Sequence, residues 1–144
     1  MAVSRGLIGL DTNVLLRVLV DESVWPTGDR AHARAARELV VGSREAFFVN
    51  HVVLVEAVWV LENPLEQPKA VLIDVVERLL ASANVVLNEH EVVGAALEDF
   101  RKGHPGFADH LMGHLNRHAG CLTTMTFDKG ARRSKLYTPL NSAR

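Results

Sequence analysis

An α/β fold built on a parallel sheet is predicted by three features of this sequence. Short apolar or β-branched runs alternate with longer stretches whose apolar residues recur at helical spacing. Gly, Pro, Asn and Asp punctuate the boundaries. The strand–helix–strand order places helices as crossovers covering both faces of the sheet. At 144 residues the chain suits one domain, 1–144, with no repeat, low-complexity tract or linker to divide it.

The elements follow in order. Residues 7–10 read as a buried strand. The apolar run 14–20 reads as a helix opening at Asp11 or Thr12 as N-cap. Residues 21–29, with Trp25-Pro26 and Gly28, form a loop. Residues 29–41 form an amphipathic helix stopped by Gly42, and 46–49 a short aromatic strand. Residues 51–61 are almost wholly apolar. Their length and the following Asn63-Pro64 predict a buried helix rather than a strand. Residues 68–82 carry Val71, Leu72, Val75, Val76, Leu79 and Leu80 on one helical face. A third strand over 84–87, helices over 89–101 and 107–119, and a fourth strand over 121–127 complete the pattern. The tail, 129–144, is basic and then irregular.

Composition excludes several classes. The chain is 48% hydrophobic and 23% charged, ordinary for a globular protein. Sixteen basic against seventeen acidic residues leave a net charge of −1. This is not a chain coated in positive charge, although a local basic patch can still steer a polyanion. Cys121 is the single cysteine, so no internal disulfide forms and a reducing cytoplasm fits. Its apolar neighbours predict a small buried core residue. The N-terminus carries Arg5 and is interrupted by Asp11, which predicts neither a signal peptide nor a membrane span.

Four acids stand in apolar settings: Asp11, Glu56, Asp109 and Asp128. Asp11 and Asp128 fall at the carboxyl ends of predicted strands, where open α/β sheets place their ligands. Glu56 has Val52, Val53, Trp59 and Val60 as helical neighbours, none able to pair with a carboxylate. Buried there, it would need an Arg, a proton or a metal. Each acid also has a local reading: an N-cap at Asp11, a structural ion pair at Glu56, a dipole-favoured first turn at Asp109, and a turn before Lys129-Gly130 at Asp128.

Taken together, Leu10-Asp11-Thr12-Asn13-Val14-Leu15-Leu16-Arg17, Glu56 in an apolar helix, Phe107-Ala108-Asp109 and Thr126-Phe127-Asp128 resemble a PIN domain. More narrowly they resemble the VapC-like toxin ribonucleases of bacterial type II toxin–antitoxin modules. The resemblance covers nearly the whole chain. It implies a three-layer α/β/α PIN domain with a central parallel sheet of about four to five strands. Its acidic quartet carries over to Asp11, Glu56, Asp109 and Asp128, and its supporting polar positions to Asn13 and Thr126. Thr12 is a further short polar group beside Asp11. Gly106 stands where many relatives carry an additional Asp, and His110 where Ala is common.

Converging carboxylates repel one another, and hard oxygen donors suit Mg²⁺ or Mn²⁺ rather than Zn²⁺. Asp11 and Asp109 are expected as direct ligands, with Glu56 and Asp128 orienting water or holding a second ion. Such a site makes an in-line phosphodiester hydrolase, and the resemblance makes its substrate RNA. Lys129, Arg132, Arg133 and Lys135 are expected to hold the RNA backbone. Arg30, Arg34 and Arg37 form a second basic stripe, with solvated surface charge as its alternative. His110, His114 and His118 also recur along one helix. A His pair can bind Zn²⁺, but the Glu of a zinc hydrolase is missing, and packing or a dimer interface is the expected role.

Rival readings are a haloacid-dehalogenase-type phosphatase, a receiver domain, and a related nuclease of RNA processing or DNA flap cleavage. Asn13 occupies the position where the phosphatase needs a second Asp. The acid pair and Lys of a receiver do not map. Small size favours the toxin, for which the resemblance implies a cognate antitoxin, a homodimer and a cytoplasmic location.

Overall fold

The computed structural model describes residues 6–140. Arg5 and the end of the tail, 141–144, lie outside the described residues. The chain divides into two compact units, one ending at Asn88 and the other beginning at Glu89. Five strands are described, all paired in parallel, three in the first unit and two in the second.

In the first unit β1 (Leu7–Gly9), β2 (Ala46–Val49) and β3 (Val85–Leu87) lie in the order β1-β2-β3. Phe47 pairs with Ile8 on one side and Val85 on the other. Parallel neighbours cannot be joined by tight turns. The crossovers are helices: α1 (Thr12–Leu19) and α2 (Arg30–Gly42) after β1, then α3 (His51–Glu62) and α4 (Lys69–Ala81) after β2. Phe47, Val49, Leu15, Leu54, Leu61, Leu72 and Val76 are almost fully buried, each large side chain contributing about 1.5–3 kcal/mol.

Two expectations about burial are corrected here. β1 is an edge strand of its sheet, with Leu7 58% and Ile8 38% exposed; burial begins only at Leu10. The apolar helix α3 is not buried all round. Val53, Leu54, Ala57, Val58 and Leu61 face the core, while Val52 and Trp59 are open to solvent, since a helix needs to bury only a stripe. The loop 21–29 contains two short 3₁₀ turns, Glu22–Val24 and Thr27–Asp29.

In the second unit α5 (His90–Lys102) and α6 (Phe107–His118) precede β4 (Thr124–Thr126) and β5 (Tyr137–Pro139). Phe100 and Phe107 meet edge to face at 5.9 Å, a geometry aromatic quadrupoles favour. The fourth strand is shorter than its apolar run because α6 ends in a turn at Gly120, whose φ is +102°. Cys121 falls in that turn and is exposed, not a core residue. β5 lies inside the tail expected to be irregular. A 3₁₀ turn, Ala131–Arg133, returns the chain so that Thr124 pairs with Tyr137. Gly113 makes this approach possible: a Cβ there would stand 3.0 Å from Tyr137 Cε2 and 3.1 Å from Leu136 Cβ.

Candidate active site

In the first unit Asp11 is exposed and caps α1, its Oδ1 accepting from the Val14 N–H at 2.9 Å. The local reading of this acid is therefore realised. The cap engages Oδ1 in an exposed carboxylate, so it is compatible with a ligand. Asn13 accepts from Arg17 Nη1 at 3.2 Å through its own side-chain oxygen. Arg17 in turn stacks over Trp25 at 4.4 Å, a cation–π contact that fixes the guanidinium. Asp11, Asn13, Arg17 and His32 line one groove. Thr12 is half-buried at the start of α1.

Glu56 is exposed and lines a second depression in the first unit, with His51, Val52, Val55, Trp59 and Val60. The expectation that burial would force a partner on it is corrected. Its apolar neighbours are real, but the face that carries it is the open face of α3.

In the second unit Asp128 closes a tight turn after β4. Its Oδ1 accepts from the Gly130 N–H at 2.9 Å, and its own N–H donates to Thr126 Oγ1 at 2.9 Å. Thr126 thus positions the acid's backbone, and the turn reading of Asp128 is realised too. Asp109 sits half-buried in the first turn of α6. Burial, and then the negative charge of Asp128, push its carboxyl above the ordinary carboxylate range. Tyr137 was not legible as a site residue, because its strand was not. Its hydroxyl donates to the Asp109 carbonyl at 2.5 Å. Burial, followed by the charge on Asp109, pushes the phenol up to about 12. The only sequence signal was the aromatic and β-branched pair Tyr137-Thr138 before Pro139.

The structure sorts the basic residues. Arg34 pairs with Glu22 at 3.2 Å, Arg37 donates to the Val20 carbonyl at 2.9 Å, and Arg30 to the Trp25 carbonyl at 3.4 Å. This stripe fastens the 21–29 loop. Of the tail cluster, Arg133 and Lys135 line a cleft of the second unit, whereas Lys129 and Arg132 are exposed outside it. The three histidines diverge. His110 is 3% exposed, with Nε2 3.4 Å from the Gly103 carbonyl oxygen. His114 Nε2 meets Asp99 at 2.6 Å, and His118 Nε2 meets Glu89 at 3.2 Å. All three tie α6 to α5 or to the residues that flank it, which is a packing role. The apolar stripe of α6 accordingly includes His110 and excludes Ala108 and Met112, both exposed.

Within neither unit, among the described residues, do three or more His, Cys, Asp or Glu gather into a metal-holding group. The donor chemistry still fits a divalent cation. The charge of exposed Asp128 bears on the half-buried carboxyl of Asp109, and a hard cation between carboxylate oxygens would relieve that repulsion. Among the described residues no helix is long and apolar enough to cross a membrane.

A PIN domain family model matches residues 8–135, a span that runs through both units. The chain belongs to the PIN domain family, a nuclease superfamily. Its members are typically metal-dependent hydrolases acting on nucleic acids, generally with divalent ions such as Mg²⁺. No curated protein gives a significant match.

Proposed function

We propose that this PIN domain is a metal-dependent endoribonuclease and the toxin of a type II toxin–antitoxin pair. The observation that carries the nuclease reading is the PIN domain match over residues 8–135; the carboxyl of Asp109, raised by burial and by Asp128, agrees with it. Structural acids are usually paired with cations; these two oppose each other, as carboxylates do when an ion is to be held between them. Asp11 and Asp109 are the direct ligands of Mg²⁺ or Mn²⁺ in this reading. Glu56 and Asp128 orient the attacking water and accept its proton. A bound divalent ion supplies charge stabilisation at the phosphate oxygens and makes water easier to deprotonate. Thr126 holds the Asp128 turn; Thr12 and Asn13 are the supporting polar groups beside Asp11, and Asn13 also holds Arg17. Lys129, Arg132, Arg133 and Lys135 hold the RNA backbone. The exposed Val52 and Trp59 beside Glu56 give a cognate antitoxin an apolar surface to cover, and the toxin works in the cytoplasm as a homodimer.

Asp109→Asn tests the nuclease reading. It is expected to abolish Mg²⁺-dependent RNA cleavage and to remove the rise in melting temperature that Mg²⁺ gives the parent. Retention of both would refute the site. Growth arrest on induction, relieved by co-expressing a small reading frame immediately upstream with a DNA-binding N-terminal half, tests the toxin. Cleavage of RNA with no arrest would instead assign the chain to RNA processing, and a preference for DNA flaps to flap cleavage. With the family established, the phosphatase alternative lapses.

A further inference from the structure

A cleft of about 480 Å³ lies within the second unit. Lys102 and His104 reach it from the end of α5 and the turn that follows. His110 and Arg117 reach it from α6, and Arg133 and Lys135 from the segment before β5. Four permanent cations thus share one concavity in a chain whose net charge is −1. The single acid lining it, Asp99, is already engaged by His114 at 2.6 Å. Lys102 and Arg117 stand in the last turns of their helices, where the helix dipole favours cations. That accounts for each of them singly, but not for Arg133 and Lys135 lining the same cleft. A buried polar side chain also lines it. His110 lines the cleft at 3% exposure, and its Nδ1 is buried with no partner among the described residues.

We propose that this cleft is a phosphodiester subsite that holds the backbone of the RNA chain, with Lys102 and Arg117 joining Arg133 and Lys135 as phosphate ligands. The inference rests on the nuclease reading for its substrate class. It adds two residues, on α5 and α6, that the tail cluster does not include. An open trough lined by long, exposed cationic side chains suits a chain of phosphates better than one enclosed anion, because such side chains act as mobile point charges along a backbone.

The test is binding of a fluorescent single-stranded RNA of about 12 nucleotides, a span long enough for several phosphate contacts, in EDTA so that cleavage is off. Lys102→Gln/Arg117→Gln is expected to weaken binding roughly tenfold near 0.1 M salt. The slope of log K against log salt should shrink by about 1.4, two single-strand phosphate contacts at ~0.7 each. Unchanged affinity and slope, in a variant whose circular dichroism matches the parent, would overturn the subsite whatever becomes of the nuclease reading. Loss of cleavage in Asp109→Asn with RNA binding retained leaves it standing. Inorganic phosphate at matched ionic strength is expected to compete poorly; full displacement of the RNA by it would reassign the cleft to a free anion and overturn the chain-binding proposal.

Discussion

Asp11 carries two roles that a pair of substitutions separates. Its Oδ1 accepts the Val14 N–H at 2.9 Å and so satisfies one of the unpaired donors that open α1. In the proposed function its charge would hold the metal. Asp11→Ala removes both. Loss of an N-cap oxygen costs about 0.5–2 kcal/mol, typically ~1, which for a chain of this length lowers the melting temperature by roughly 3–5 °C. Asp11→Asn keeps an oxygen in the same place, and Asn caps as well as Asp. Its stability should fall by no more than a few tenths of a kcal/mol, while its negative charge is gone. Metal-assisted hydrolysis draws several kcal/mol from such a ligand set, so cleavage should fall at least a hundredfold. Thermal melts by circular dichroism, run beside cleavage of a labelled RNA in Mg²⁺, read the two roles independently. Equal destabilisation by Asn and Ala would refute the cap argument. Wild-type cleavage by Asp11→Asn would refute the metal assignment, whatever its stability.

Gly113→Ala places a methyl 3.0–3.2 Å from Tyr137 and Leu136. Overpacking of about 1–3 kcal/mol outweighs the ~1 kcal/mol that Ala gains in a helix, so the urea midpoint should drop; a rise would contradict the close approach of α6 and β5. The Tyr137 phenol, at about 12 in the folded chain against 10.0 in its ordinary state, gives an alkaline signature. Below pH 10 both states hold the proton and stability is unaffected. Between 10 and 12 the unfolded chain loses it while the fold retains it, so stability should fall as pH rises, by about 1–2 kcal/mol. Tyr137→Phe should flatten that part of the pH–stability curve, and an unchanged curve would locate the alkaline loss elsewhere. Arg37→Ala removes the bond to the Val20 carbonyl. It should speed proteolysis within residues 21–29 while leaving RNA affinity unchanged; weakened RNA binding would restore the basic stripe to the RNA surface.

Most elements were legible because periodicity depends on neighbours along the chain. β2 occupies the predicted residues 46–49, and α2, α4 and α5 end within one residue of their predicted limits, where Gly or a Pro marks a local conformational preference. The strand pairing of Tyr137 was not legible. Three residues make no period, and their order comes from β4 alongside and from the gap that Gly113 leaves. Burial was legible only in part. Apolar character told that α3 and residues 7–10 have a core face, but not that Trp59, Leu7 and Ile8 would stand open on the other.

The family was legible because the order and spacing of its motif, which four acids were read to carry, are properties of the sequence. What each carboxylate touches was decided by tertiary structure. Asp11 and Asp128 became backbone caps, and Glu56 took an open helix face. Asp109 acquired a raised proton affinity, since desolvation and a neighbour's charge exist only once the chain has folded. The basic residues divide on the same ground. Side-chain spacing showed two clusters, and only folding tied one to a loop and brought half of the other into a cleft with Lys102 and Arg117. Sequence by itself determined the kinds of groups available and their local elements. Folding decided which of them meet, because charge–charge and burial energies depend on distances in space and not along the chain.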